Sequence, residues 1–211
     1  MPIKVDRTQI PETVKEAKKW WRREIRRTLN ETTAEYRADA SAKICAAFSR
    51  MDEYRDASTI LAYCSVGAEV DTIALINRML ADGKRVCLPV CTDLDEEGHR
   101  DMTQQGMDAR LITSLEGLKE GAYGIPEPTE EDPLVDPEEI DLIMLPCLAC
   151  DTSCQRIGHG AGYYDRYLEV VRDDCRLVAV CYDAVLAEDL PTTWHDKPVD
   201  AVITENAIYR P

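Results

Sequence analysis

From Arg156 to Arg166 the chain reads Arg-Ile-Gly-His-Gly-Ala-Gly-Tyr-Tyr-Asp-Arg. Glycines alternate at 158, 160 and 162, in a stretch whose pattern predicts a turn from strand to helix. Glycines there let backbone N–H groups approach a phosphate closely, and a following helix N-terminus adds a favourable partial charge. Arg156 before the turn and Asp165 after it add a cation for the phosphate and a carboxylate for its magnesium. The spacing is neither G-x-x-x-x-G-K-[ST] nor G-x-G-x-x-G. Glycine also serves any tight turn, so the alternation alone fits a bare turn equally well.

A second chemistry-bearing stretch lies near the N-terminus. The net charge is −15, yet residues 15–27 hold seven basic side chains against Glu16 and Glu24. A nucleic-acid binder would spread positive charge over a broad face. One short basic stretch in an acidic chain fits a small anionic ligand, or else a solvated helix face paired to the protein's own carboxylates. Lys18, Arg22 and Arg26 repeat every four residues and so share one helix face.

The nine cysteines, an odd number, fit free thiols in a reducing cytoplasm. Cys147, Cys150 and Cys154 form C-x2-C-x3-C, which with His159 offers soft ligands for zinc or an iron–sulfur cluster. Cysteines are scattered through the rest of the chain too, and buried free cysteine is common, so free thiols are expected here. Trp20, Trp21 and Trp194 are expected to pack rather than stack on bases. His99 and His195 support no Ser/His/Asp triad.

The elements that would position these groups alternate along the chain. Helices are predicted over residues 12–30 and 33–49, a strand over 58–64, and a helix over 72–82 with Asp71 as its N-cap. Gly83 ends that helix and 85–91 is the next strand. Residues 92–108 read as a polar loop or hairpin, and 120–138 as a proline-rich acidic loop. Residues 141–148 are apolar throughout, as in a strand covered on both faces, with the Arg156 loop directly after it. A helix over 163–172, a strand over 175–182 and a last strand near 199–204 follow. This order predicts an α/β fold, one three-layer domain over 1–211 with a mainly parallel sheet and the site at the strands' C-terminal edge. No apolar run spans a membrane and no signal region opens the chain.

In this order the segments resemble the 5-formyltetrahydrofolate cyclo-ligase family, also called methenyltetrahydrofolate synthetases. RIGHGAGYYDRYL after DLIMLPCLACD carries the likeness, supported by Lys18-Lys-Trp-Trp-Arg22, Glu69-Val-Asp-Thr72, Tyr123-Gly-Ile-Pro-Glu-Pro128 and His195-Asp196. The family pattern differs at His159, where some relatives carry Arg, and at Ala161, where relatives have Gly or Lys. The resemblance implies ATP- and Mg²⁺-dependent closure of 5-formyltetrahydrofolate to 5,10-methenyltetrahydrofolate through a phosphorylated formyl intermediate. It implies ATP contacts from Lys18, Arg22, Arg26, Arg156, Gly158, Gly160, Gly162 and Tyr164, and Mg²⁺ on Asp165 and Asp196. Folate would meet Cys64, Glu69, Tyr123, His159, Gly160, Ala161, Gly162 and Tyr163, with Arg156, His159 and Tyr163 at the reacting centre. A monomeric cytoplasmic enzyme without nucleic-acid or membrane partners is expected. A folate- or nucleotide-binding relative without turnover, and a sugar-phosphate isomerase-like enzyme, remain the alternatives.

Overall fold

The computed structural model describes residues 3–92, 106–121, 124–194 and 196–211. Its centre is a seven-stranded sheet in the order β11-β10-β9-β6-β1-β2-β3. The strands are β1 (Thr59–Leu61), β2 (Arg85–Cys91), β3 (Met107–Ile112), β6 (Leu142–Leu145), β9 (Arg176–Val180), β10 (Ala201–Ile203) and β11 (Ile208–Tyr209). Pairings from β2 across to β10 are parallel, and β3 and β11 close the two edges antiparallel. The expected α/β fold with a mainly parallel sheet is therefore the one found. β1, β6 and β10 are buried at every residue, as expected of parallel strands covered on both faces.

The direction in which the sheet grows matters most for function. From β1 the chain adds β2 and β3 on one side, then returns to lay β6, β9, β10 and β11 on the other. The reversal falls between β1 and β6, and loops leaving the C-terminal ends of strands at such a point diverge and open a crevice. Asp141 pins the opposite end of this pair: its Oδ2 accepts the Ser58 and Thr59 N–H groups at 2.7 and 2.8 Å.

Helices follow their local signals with small shifts. α1 (Val14–Glu31) starts at Thr13, whose hydroxyl accepts the Glu16 N–H, and buries Ala17, Trp20, Trp21, Ile25 and Leu29 on one face. α2 (Ala34–Phe48) is capped likewise by Thr33. A short α3 (Asp52–Asp56) precedes β1. α4 (Ile73–Ala81) has Thr72, not Asp71, at its N-cap. The Thr72 hydroxyl is turned away, donating to the Tyr63 carbonyl at 2.6 Å, while Asp71 Oδ1 accepts the Ile73 N–H at 3.0 Å. Several elements are shorter than expected; β1, for one, has three residues rather than seven. β6 stops at Leu145, before Pro146, and α5 (Tyr163–Tyr167) is five residues rather than ten. β3 and β11 were not anticipated, and residues 93–105 of the expected 92–108 loop lie outside the described residues. The proline-rich segment holds a small hairpin of β4 (Lys119–Glu120) and β5 (Pro126–Glu127).

The Arg156 loop does not follow β6 directly. A second small hairpin, β7 (Ala149–Cys150) with β8 (Arg156–Ile157), intervenes. Asp151 builds its turn. This carboxylate has no solvent exposure, and Oδ1 accepts the Ser153 and Gln155 N–H groups, each at 2.9 Å. Oδ2 accepts the Leu190 N–H at 3.0 Å, and the Ala187 N–H reaches the Cys150 carbonyl at 2.8 Å. Among the three tryptophans, Trp20 and Trp21 pack edge to face at 5.4 Å, but Trp194 is 88 % exposed and does not join the core. No helix among the described residues is long and apolar enough to cross a membrane.

Asp151→Asn would leave one side-chain oxygen for the three backbone N–H groups of Ser153, Gln155 and Leu190. Its unfolding midpoint in urea should fall with an unchanged denaturant slope, a loss of about 1.5–3 kcal/mol for a hydrogen bond to a buried charge.

Candidate functional site

A cleft of about 640 Å³ opens at the β1/β6 reversal. Tyr63, Cys64, Val66 and Glu69 reach it from the segment after β1, Pro89 and Cys91 from the end of β2, and Pro146 from the end of β6. α1 supplies Lys18, Arg22 and Arg26 from a face that flanks the one packed into the core, with Lys18 only 16 % exposed. The hairpin and glycine loop supply everything from Arg156 to Asp165, and Asp196 closes the rim. Every described residue to which the resemblance assigns an ATP, folate or Mg²⁺ contact lines this cleft. Tyr123 and His195 lie outside the described residues.

The basic groups converge on the glycine loop from two elements distant in sequence. Arg22 Nε donates to the Gly158 carbonyl at 2.9 Å. Gly160 has φ +110°, and a Cβ there would come within 3.3 Å of the Arg22 guanidinium, so this position needs glycine for both backbone and space. Gly162, at φ +76°, is the left-handed cap of α5. With only five residues, α5 adds less dipole than the expected ten-residue helix would.

Each acid at the rim is matched to a base. Lys18 Nζ donates to both oxygens of Asp196 at 2.6 and 2.5 Å, and Arg156 Nη2 donates to Asp165. Burial pushes the Asp196 carboxyl up, but the hydrogen bonds from Lys18 and Thr193 outweigh it and hold the group below its ordinary 3.8. Burial and then repulsion from Arg26 lower Arg22, while the nearby Asp165 and Asp196 raise it. Arg22 therefore lies in the field of both carboxylates that the resemblance assigns to one ion. Among the described residues no three His, Cys, Asp or Glu side chains gather as a metal cage.

Five Lys and Arg side chains line the cleft against four Asp and Glu, in a protein whose net charge is −15. The cleft is thus locally biased toward an anion. Two buried polar atoms are left unsatisfied in its walls, Arg156 Nε and Tyr164 Oη. An unpaired buried donor costs about 1–3 kcal/mol. A glycine cradle, converging cations, two rim carboxylates and orphaned donors fit a magnesium-bound polyphosphate.

The other wall differs in character. Met107, Ile125, Pro89 and Pro146 give it an apolar surface, and Glu69 and Glu127 are the acids on it. Glu69 Oε2 accepts the Val66 N–H at 2.9 Å and Oε1 lies 2.9 Å from His159 Nε2. Burial raises the Cys64 thiol to about 11, so it is neutral at pH 7 and acts as a small apolar group. The residues not found from the sequence belong mostly to this wall. Glu127, 8 % exposed, sits in the quoted Tyr-Gly-Ile-Pro-Glu-Pro segment, where only the tyrosine had been singled out. Met107 and Pro89 carried no chemical signal; sheet pairing alone brings them to the cleft.

The sequence model of the 5-formyltetrahydrofolate cyclo-ligase family matches residues 14–205. A Mycolicibacterium smegmatis protein named 5-formyltetrahydrofolate cyclo-ligase is 35% identical over 148 residues, covering 69% of this chain and 73% of that one. The mouse protein of the same name is 28% identical over 204 residues, covering 92% and 97%. The NMR structure of Aquifex aeolicus 5,10-methenyltetrahydrofolate synthetase superposes with a TM-score of 0.74 at 31% identity, over 92% of each chain. With the match spanning α1 through β10 and the fold shared, this chain belongs to the 5-formyltetrahydrofolate cyclo-ligase family, whose members are ligases.

Proposed function

We propose that this protein catalyses the MgATP-dependent closure of 5-formyltetrahydrofolate to 5,10-methenyltetrahydrofolate, releasing ADP and phosphate. The observation that carries the reading is the division of one cleft into two walls. Lys18, Arg22, Arg156 and the glycine loop form a polyphosphate wall. An apolar wall with Glu69 faces it, suited to a flat heterocycle whose ring N–H groups need an acceptor. Family membership fixes the reaction class that these walls are read against.

The formyl oxygen is a poor leaving group, and bound MgATP supplies the phosphoryl group that makes it a good one. The chain's own work is positioning and charge balance. Lys18, Arg22 and Arg156 offset phosphate charge, with Arg26 further along the same helix face. The orphaned Arg156 Nε and Tyr164 Oη are donors available to phosphate oxygens. Asp165 and Asp196 are the carboxylates available to Mg²⁺, which takes one or two such groups with phosphate and water. Glu69 and His159 face the pterin, with Cys64, Ala161 and Tyr163 around it and Tyr163 and His159 beside the reacting formyl group. No covalent nucleophile is needed. Nine cysteines, none of them in a disulfide, suit a reducing, cytoplasmic setting.

Purified protein given 5-formyltetrahydrofolate should form the methenyl product, followed by its absorbance, only when MgATP is present. Turnover without ATP would point to a different reaction class, and none with it to a binding protein. Lys18→Ala and Arg22→Ala should each weaken a non-hydrolysable ATP analogue by about 1.5–3 kcal/mol in calorimetric titration while folate affinity changes little. Equal affinities in variants and wild type would reduce α1 to a structural helix.

Asp196→Asn should raise the Mg²⁺ concentration that gives half-maximal rate. Its effect on stability has a definite pH sign. A carboxyl held below 3.8 when folded stabilises the protein fully above that value, and the contribution disappears as pH falls through the lower folded value. The difference in unfolding free energy between wild type and Asp196→Asn should thus be level from about pH 5 to 8 and shrink as pH falls below 3.8.

A further inference from the structure

Cys147, Cys150 and Cys154 do not form the three-sulfur group their spacing suggests. Cys147 and Cys150 touch, with Sγ atoms 3.3 Å apart, at 9 % and 0 % exposure. Cys154 lies across the hairpin turn with φ +62°, next to Val202 in the core. The third sulfur near the pair is that of Cys181, just past β9, which shares a void with Cys147, while the Cys147 thiol donates to the Val180 carbonyl at 3.2 Å. Three thiols from two segments are packed on one another where methyl groups would fill the same space.

The pair lies directly behind the candidate site. Pro146, beside Cys147, lines the cleft, and Cys150 leads into the hairpin that presents Arg156. A void of about 20 Å³ touches Cys147, Cys181 and the back of Glu69. That is room for about one water molecule, so a hydroperoxide reaches Cys147 as the side chains lining the void shift.

We propose that Cys147 and Cys150 are a modification site: a dithiol that a hydroperoxide oxidises to an intrachain disulfide, lowering activity reversibly. Cys147, the less buried, attacks the peroxide oxygen; the O–O bond breaks, an alcohol or water leaves, and the sulfur becomes a sulfenic acid. Cys150 then attacks that sulfur and displaces water. In total, two thiols and one hydroperoxide give one disulfide, one alcohol and one water. A disulfide needs sulfurs about 2.05 Å apart, so the pair must close by more than 1 Å within a packed strip. A shift of about 1 Å behind a reacting centre can cost about a hundredfold in rate.

The test uses the whole protein with hydrogen peroxide, then alkylation under denaturing conditions, digestion and tandem mass spectrometry. No Lys or Arg lies between Lys119 and Arg156, so trypsin leaves Cys147, Cys150 and Cys154 in one peptide, with Cys154 as an internal control. Expected is a loss of 2 Da in that peptide with Cys154 alone alkylated. Cyclo-ligase activity should drop at least tenfold in parallel, and dithiothreitol should restore both. Cys150→Ala and, separately, Cys147→Ala should retain activity under the same peroxide. Alkylation of all three cysteines after treatment overturns the site, and that mass readout on wild type stands even if a variant fails to fold. Disulfide formation without loss of activity overturns the functional consequence, as does equal inactivation of either folded variant.

Discussion

The buried carboxylate of Asp151 is the constraint on which the site depends. Unexposed, it accepts three backbone N–H groups, two within its own hairpin and one from Leu190. A buried charge is costly unless hydrogen bonds surround it, and only one arrangement of the two segments supplies them all. Arg156 follows five residues later on β8, and Asp196 six residues beyond Leu190. The segments that carry Arg156 and Asp196 are thus tied together by one residue that does not line the cleft.

Within the cleft the charges are interlocked rather than waiting free. Lys18 holds Asp196, Arg156 holds Asp165, and Arg22 lies in the field of both acids. Under the proposed reading, a magnesium–polyphosphate complex exchanges these pairs: cations turn to phosphate oxygens and carboxylates to the metal. Charge balance is kept at each stage, so none of these groups has to be buried alone. The same argument explains how a protein of net charge −15 can hold a polyanion in one local, nearly balanced cleft.

The apolar wall obeys a different rule. Its members come from strand ends and from the small β4–β5 hairpin, and they are ordinary core residues by type. They become cleft residues only because the sheet reverses direction between β1 and β6. The thiol pair behind them is buried in the same core, which is why a change of about 1 Å there can be felt in the cleft.

The sequence by itself determined the groups that local chemistry dictates. A four-residue repeat must place Lys18, Arg22 and Arg26 on one side of a helix, and apolar runs must become buried strands. Gly160 and Gly162 adopt backbone angles that only glycine takes easily, and they stand where the alternating pattern put them. The ordered motifs identified the family, and through it residues as distant as Lys18 and Asp196. Tertiary structure alone decided pairing and depth. It added β3 and β11, whose edge positions carry no distinctive pattern, and cut α5 to a single short helix. It left Trp194 in solvent while burying Trp20 and Trp21, and it replaced Cys154 by Cys181 beside the thiol pair. These outcomes depend on which segments meet in space, and residue spacing along a chain encodes contacts only within a turn or a strand.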